Sequence, residues 1–443
     1  MSLCRIRLLL TIILTGTSLL ALAQPKDNSP YSRLGLGDFV NQQFAANSSF
    51  GGLSAALQDP FHINLLNPAS LAYLRSTSYE LGFYAKYADL KGADESAGIW
   101  SGNLNYMALG FPMRNPLNDL LERRKSDFNW GMTLALLPYT NVGYDLQITE
   151  VQPNVDTTIN IFQGTGGTYK LYWGNGIKYK DLSLGLNLGY FFGKISNSRE
   201  VSFSDLGVAY QNSFDDEISV RGLLWSLGAQ YRLVFKKPGE NGVPEPSGHR
   251  LIFGAYGNSS QPFDTNSSKF YRGINFLYSD VDTVLYEKDV LESGKLPAEV
   301  TAGITYEYQD RLRLGIEYAF SQWSNYENEA KPENLSDRWR IAFGGEYIPD
   351  ATSYNDYGKR IRYRFGMFYA KDPRSFDNTL QHYGLTFGFG LPIILPRQQT
   401  SFVNFAFELG QFGNADTLRE TYGKLTVGFT LNDNSWFFKR KFN

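Results

Sequence analysis

Hydrophobic and polar positions alternate with period two along most of the chain. In "RLRLGIEYAFSQW" one face carries Leu312, Leu314, Ile316, Tyr318 and Phe320, and the other Arg311, Arg313, Gly315, Glu317, Ala319 and Ser321. "DLSLGLNLGYF" sets Leu182, Leu184, Leu186, Leu188 and Tyr190 against Ser183, Gly185, Asn187 and Gly189, and "KLTVGFTL" sets Leu425, Val427, Phe429 and Leu431 against Thr426, Gly428 and Thr430. Such alternation marks strands with two unlike faces. It predicts about 14 of them, the even number that a bacterial single-chain barrel needs. Their spans are 78-90, 101-113, 128-149, 167-180, 181-196, 219-235, 249-262, 296-309, 311-324, 337-348, 360-371, 382-393, 401-412 and 421-432.

Alternation alone does not say which face points inward. The apolar faces stay aliphatic or aromatic on nearly every strand while the polar faces are small, as in a barrel whose outside meets lipid. Composition adds weight. Charged residues make up 19% of the 443, below the roughly 25% of soluble domains, and aromatics reach 15% with 43 glycines. A net charge of −2 gives no sign of nucleic acid as a partner.

Residues 1–23 carry Arg5 and Arg7, an apolar run from Leu8 to Leu22, and Ala21 and Ala23 in the spacing that signal peptidase accepts. They are expected to be a cleaved signal peptide. A transmembrane helix is the alternative, but the run is short for a bilayer and "QPKD" follows at once. The one cysteine, Cys4, precedes the apolar run, so the exported chain has no thiol. A chain of that size without disulfides needs one large core or a closed sheet in a membrane.

The expected organisation is signal peptide 1-23, N-terminal arm and plug 24-77, barrel 78-432 and periplasmic tail 433-443. Short connections at Lys180-Asp181, Gln309-Asp310 and 395-399 belong at the periplasmic end, and the long ones at 263-295 and 325-336 outside. The connections 114-127 and 236-248 are long for the periplasmic side, and the first has room for one helical turn.

One stretch does not fit the strand pattern. "ANSSFGGLSAALQDPFHINLLNPASLAYL", residues 45–73, is rich in Gly and Ala and closes on Asn67-Pro68-Ala69. Together with "LPAEVTAGITYEY", "LRLGIEYAFSQWSNY", "DRWRIAFGGEYIPD" and "RYRFGMFYAKDP" it resembles the FadL-type outer-membrane transporters of long-chain fatty acids and other hydrophobic compounds. The resemblance spans most of residues 45–432. It implies an all-β transmembrane antiparallel barrel of that strand number with a hatch in its lumen, in the Gram-negative outer membrane. A Gly-, Ala- and Asn-rich segment can pack compactly there, with Asn67-Pro68 turning the chain into the first strand. An ordinary loop with an Asn-Pro turn is the plainer reading. "SPYSRLGLGD" departs from the family's ligand-gating N-terminus and is similar instead to Bacteroidetes members of the superfamily. Phe442 is penultimate rather than last.

Lumen-facing charge gathers at one end of the expected barrel: Arg311, Arg313, Arg360, Arg362 and Arg364 with Glu307 and Glu346. Two uses compete. One is an ion-pair network that braces strands and docks the plug through Asp38 or Asp59; the other is a basic patch for a ligand carboxylate. Trp323 and Phe368 are candidate lumen-lining residues. Pro138 interrupts a strand, where a missing ladder donor demands a bulge or kink. In the FadL-type resemblance a kink there opens a side exit to lipid; an unimportant proline near the edge of the membrane band is the alternative.

The chemical inventory gives no enzyme, cofactor or metal. His62, His249 and His382 lack partners at zinc spacing, no phosphate-binding loop or serine elbow is present, and nothing singles out His382 with Ser375 as a lipase pair. Asp215-Asp216-Glu217 is expected in an outer loop. Two functions remain: passive uptake of an apolar ligand past a plugged lumen, or a structural role in an outer-membrane protein assembly or secretion complex with protein partners.

Overall fold

In the computed structural model, which describes residues 29–433 except 93–94, 115–126, 153–155, 205–208, 239–243, 276–277, 279, 377, 396–398 and 415–417, the alternating segments close into a barrel. The signal peptide, the tail beyond 433 and the suggested helical turn at 114-127, nearly all of it, lie outside the described residues. Fourteen antiparallel strands form the wall: β1 (Thr77–Lys91), β2 (Ser96–Pro112), β3 (Phe128–Gln152), β4 (Asp156–Tyr179), β5 (Leu182–Phe203), β6 (Gln211–Pro238), β7 (Pro244–Asn258), β8 (Glu299–Tyr308), β9 (Leu312–Ser321), β10 (Arg338–Tyr347), β11 (Arg362–Phe376), β12 (Asn378–Leu395), β13 (Gln399–Gly413) and β14 (Arg419–Asp433). β14 pairs with β1 from Arg419↔Lys91 to Asp433↔Thr77, so the sheet has no seam where the chain begins and ends. The tight turns use left-handed backbone at Lys180, Gln309 and Asp310.

The alternation has the predicted sense. Along β5, Leu182, Leu184, Leu186, Leu188 and Tyr190 face outward and exposed, while Ser183 and Asn187 are buried inward. This is the apolar band of a barrel that stands in a bilayer. Stacked Tyr169, Phe192 and Tyr190 mark one rim of the band. Level with them and beyond come exposed ion pairs, Arg221–Asp264 opposite Phe192 and then Lys194–Glu217. No helix among the described residues is long and apolar enough to cross a membrane.

Two expectations need correcting here. Residues 263–295 are not a loop: most of them form a hairpin of strands Gln261–Asn275 and Asp280–Leu296 that extends the sheet past the band and pairs with Gln211–Arg221 of β6. Outside the bilayer no apolar face is demanded, so the period-two signal fades there. For the same reason Asp215, Asp216 and Glu217 lie within strand β6, where Arg272, Tyr271 and Lys194 respectively engage them.

Candidate functional site: the occupied lumen

Residues 29–76 precede the wall and lie inside it. They touch all fourteen strands, from Ile63 on Glu80 of β1 through Ala55 on Gly303 of β8 to Ala45 at Gly428 of β14. Only a body in the lumen can reach the whole ring.

The segment's local structure follows from its small residues. Asn67 accepts a hydrogen bond from the Ala69 N–H at 3.1 Å and so caps the helical turn Pro68–Tyr73, with proline where no donor is needed. The Asn67 amide donates to the Ala55 carbonyl at 2.6 Å, which ties the two ends of the fold together. Asn67, Pro68 and Ala69 are buried against the wall.

Glycine makes that approach possible. Gly131, Gly176, Gly185 and Gly228 stand opposite one another across β3, β4, β5 and β6. A methyl at Gly176, Gly185 or Gly228 would collide with Pro68, Ala69 or Asn67. On the opposite wall Gly315, Gly344 and Gly366 are also in register, and a methyl there would meet Leu53, Phe50 or Gly51. At Gly131, Gly176, Gly185, Gly344 and Gly366 backbone thus lies directly on backbone. These glycines were visible on the polar faces in the sequence, but nothing in the alternation said what they receive.

Charge holds the same segment at the short-turn end. Arg250, Glu307, Arg313, Glu346 and Arg364 form one cross-strand row of alternating sign over β7 to β11. Glu307 lies 3.2 Å from Arg250 and 2.9 Å from Arg313, and Glu346 lies 3.0 Å from Arg313 and 2.7 Å from Arg364. Asp59 of the inner segment completes the row from inside, 3.2 Å from Arg313 and 2.5 Å from Arg362. Burial pushes the Asp59 carboxyl up, but Arg362, His62 and Arg313 outweigh it and hold it well below the usual carboxylate range. Five of the seven predicted charges therefore converge. Arg311 is exposed at the turn and Arg360, partly exposed, lies on Tyr357 in a helical turn before β11, because both precede the inward face.

Sequence reasoning missed Arg250, although its strand begins opposite Glu307. It also missed Glu317, which accepts the Ser54 and Ala55 N–H groups at 2.7 and 2.6 Å, and Arg340, which donates to the Gly51 carbonyl at 2.5 Å. Glu317 was one more polar position in a strand, with no signal to separate it.

The outer half is built differently. β3 pairs with β2 only from Met107↔Leu136 to Pro112↔Gly131. Its register with β4 slips between Pro138 and Thr140. Leu137 to Val142 are all buried, so the alternation fails and this part of β3 turns into the lumen. Asp38–Phe39 adds to its free edge by pairing with Asn141 and Thr140, and the Gln42 amide donates to the Pro138 carbonyl at 3.0 Å. Arg374 holds this arm through the Asp38 carboxylate and the Tyr31 carbonyl. Trp323 packs on Phe39 at 4.7 Å in an apolar cluster with Tyr139, Phe191 and Phe263.

Between the two halves is a chamber of about 270 Å³. Phe368 is on its wall, but so are Lys86, Lys170, Arg340, Glu317, Glu408 and Glu420. His382 bonds the Tyr422 hydroxyl there at 2.7 Å and not Ser375. Among the described residues no three His, Cys, Asp or Glu come together to hold a metal ion.

The fold is that of known channels. The CymD monoaromatic hydrocarbon channel is 14% identical over 90% of this chain and 98% of its own, with a TM-score of 0.52. The toluene transporter TbuX of Ralstonia pickettii is 13% identical over 88% and 98%, also at 0.52, and a Pseudomonas aeruginosa FadL homologue is 13% identical over 88% and 97%, at 0.51. At such identity the likeness is one of fold, and FadL-type architecture is what it shows. None of the curated proteins matches. A protein family described as BamG has a model that matches residues 5–443.

Proposed function

The chain belongs to the BamG family, and from that premise and its occupied lumen we propose that it is a non-conducting barrel of the Gram-negative outer membrane, a structural subunit of a larger protein assembly. Residues 1–23 direct its export and are removed. Residues 24–77 are an arm and permanent plug, seated by Asn67-Pro68-Ala69 and anchored through Asp59. The observation that carries this reading is the plug's contact with every strand, on several of them backbone on backbone, under a chamber whose wall carries both charged and aromatic residues. Apolar cargo would have to displace buried ion pairs to pass, and breaking such pairs costs several kcal/mol.

A second reading keeps the transport function that the names of the channel and transporter neighbours carry. The unpaired stretch between β2 and β3, which begins after Leu136 and includes Pro138, supports it as a side exit, with Trp323 and Phe368 along the path and the arginines meeting a ligand carboxylate. Native mass spectrometry of the protein, extracted gently from its own outer membrane, separates the two. Stoichiometric protein partners without an apolar ligand support the structural subunit; bound apolar molecules on an isolated barrel overturn it. Replacing Pro138→Thr should leave partner binding unchanged, whereas in a transporter it would block uptake.

A further inference from the structure

The hairpin beyond the bilayer ends in a strand that has a neighbour on one side only. Asp280–Leu296 pairs with Gln261–Asn275 from Asp280↔Asn275 to Leu296↔Gln261. On its other edge, among the described residues, Gly294 and Lys295 pair with Asn328 and Glu327, and Ser293 bonds Glu329. From Val281 to Leu291 the strand therefore presents backbone donors and acceptors to solvent, the template on which another strand can add.

Three observations say that this edge is more than a solvated rim. Val281, Val284, Tyr286 and Leu291 are between 56% and 75% exposed. Val281, Val284 and Tyr286 lie beyond the exposed Arg221–Asp264 and Lys194–Glu217 pairs that bound the apolar band, and Leu291 is level with Lys194, so lipid does not cover this edge. The strand also carries Asp280, Asp282, Glu287, Asp289 and Glu292 against Lys288 and Lys295, the second of which lies opposite Glu327. A second copy of the chain would set these carboxylates against their like, which is repulsive across a strand pair.

Resting on the structural-subunit reading, we propose that the edge Val281–Leu291 docks an extended, lysine- or arginine-rich segment of another outer-membrane protein by strand addition. Main-chain bonds would supply affinity, the four exposed apolar side chains would be covered by the added segment, and Asp282 and Glu287 would select basic partners.

The test uses the full chain in its native membrane, with a benzophenone amino acid at Val284 or Tyr286 and, as a lipid-facing control, at Leu184. The proposal expects a discrete crosslink from the first two positions, mapping to a basic segment of one protein, and none from the third. The double variant Asp282→Lys with Glu287→Lys should lower that crosslink by about tenfold or more while heat-modifiable migration stays that of a folded barrel. Partners seen by native mass spectrometry with no crosslink at the hairpin would overturn this docking site and leave the structural reading standing. Crosslinks to a second copy, to lipid or to an acidic segment would also overturn it. An isolated barrel with no protein partner would sink both.

Discussion

The two halves of the lumen are filled by different means. At the short-turn end the wall keeps strict alternation, and the plug is fixed by in-register glycines and a charge row that runs over five strands. In the outer half β3 abandons alternation, and the arm is held by a two-residue pairing, by Arg374, by Lys331 on the Arg33 carbonyl and Glu333 on the Gly35 N–H, by hydrogen bonds of Tyr31, Ser32 and Gln42 to wall carbonyls, and by an apolar cluster. The difference teaches that a fixed fit and an adjustable one leave different marks: the first needs specific residue types in register along the wall, and the second draws on a strand edge, apolar neighbours and scattered polar contacts. The plug should behave as part of the barrel, and the arm as a separate, weaker unit.

The sharpest way to break the comparison is Arg313→Met. It leaves Glu307, Glu346 and Asp59 buried with one cation fewer, and should cost about 3–5 kcal/mol in urea unfolding of the barrel in vesicles. A loss under about 1 kcal/mol, the level of exposed pairs, would show that the row does not anchor the plug. Next comes Gly185→Ala, expected to cost about 1–3 kcal/mol because the new methyl meets the Pro68–Ala69 backbone. Its control is Gly423→Ala, whose methyl would have only Leu409 at 3.5 Å. Equal effects at the two sites would refute the steric fit.

Phe39→Ala bears on the weaker half. The side chain is half-buried, so the loss should be about 2 kcal/mol, confined to the arm. It would appear as faster proteolysis around residues 30–43 with no change in global unfolding. A fall in global stability would mean that arm and barrel are one unit.

The smallest effect is that of pH on the plug. Because the folded Asp59 carboxyl is held below its ordinary value of 3.8, its contribution is complete above that value and is lost only as pH falls below it. Amide-exchange protection factors of residues 50–70, corrected for the intrinsic rate at each pH, should therefore be the same at pH 5 and pH 7. Deprotection already at pH 5 would mean that another group controls the docking.

All fourteen strands could be read in the sequence, because bilayer and lumen impose opposite demands on neighbouring residues and a period of two records both. The same logic predicts Arg313, Arg362, Arg364, Glu307 and Glu346 on the polar face, and all five are buried in the structure. It failed where one demand disappears. The hairpin 261–296 has no lipid on either side, so its strands read as a loop. Leu137 to Val142 are buried on both faces, so the alternation did not show the turn of β3, and only Pro138 marked the place where its register slips. Arg311 and Arg360 were assigned by sequence spacing, yet one lies in a tight turn and the other in a helical turn, where the period does not apply. The wall glycines stood in plain view, but a missing side chain is informative only once its neighbour is known.

The glycine-lined seat also fixes an order in time. A body that rests on every strand cannot enter after β14 has met β1, so ring closure is the step that imprisons it. The wall must assemble around residues 29–76, which lead the barrel in the chain and serve as its internal former. A barrel of residues 77–433 folded alone should stay vacant when a peptide of residues 29–76 is supplied afterwards, and fill only when the two are refolded together.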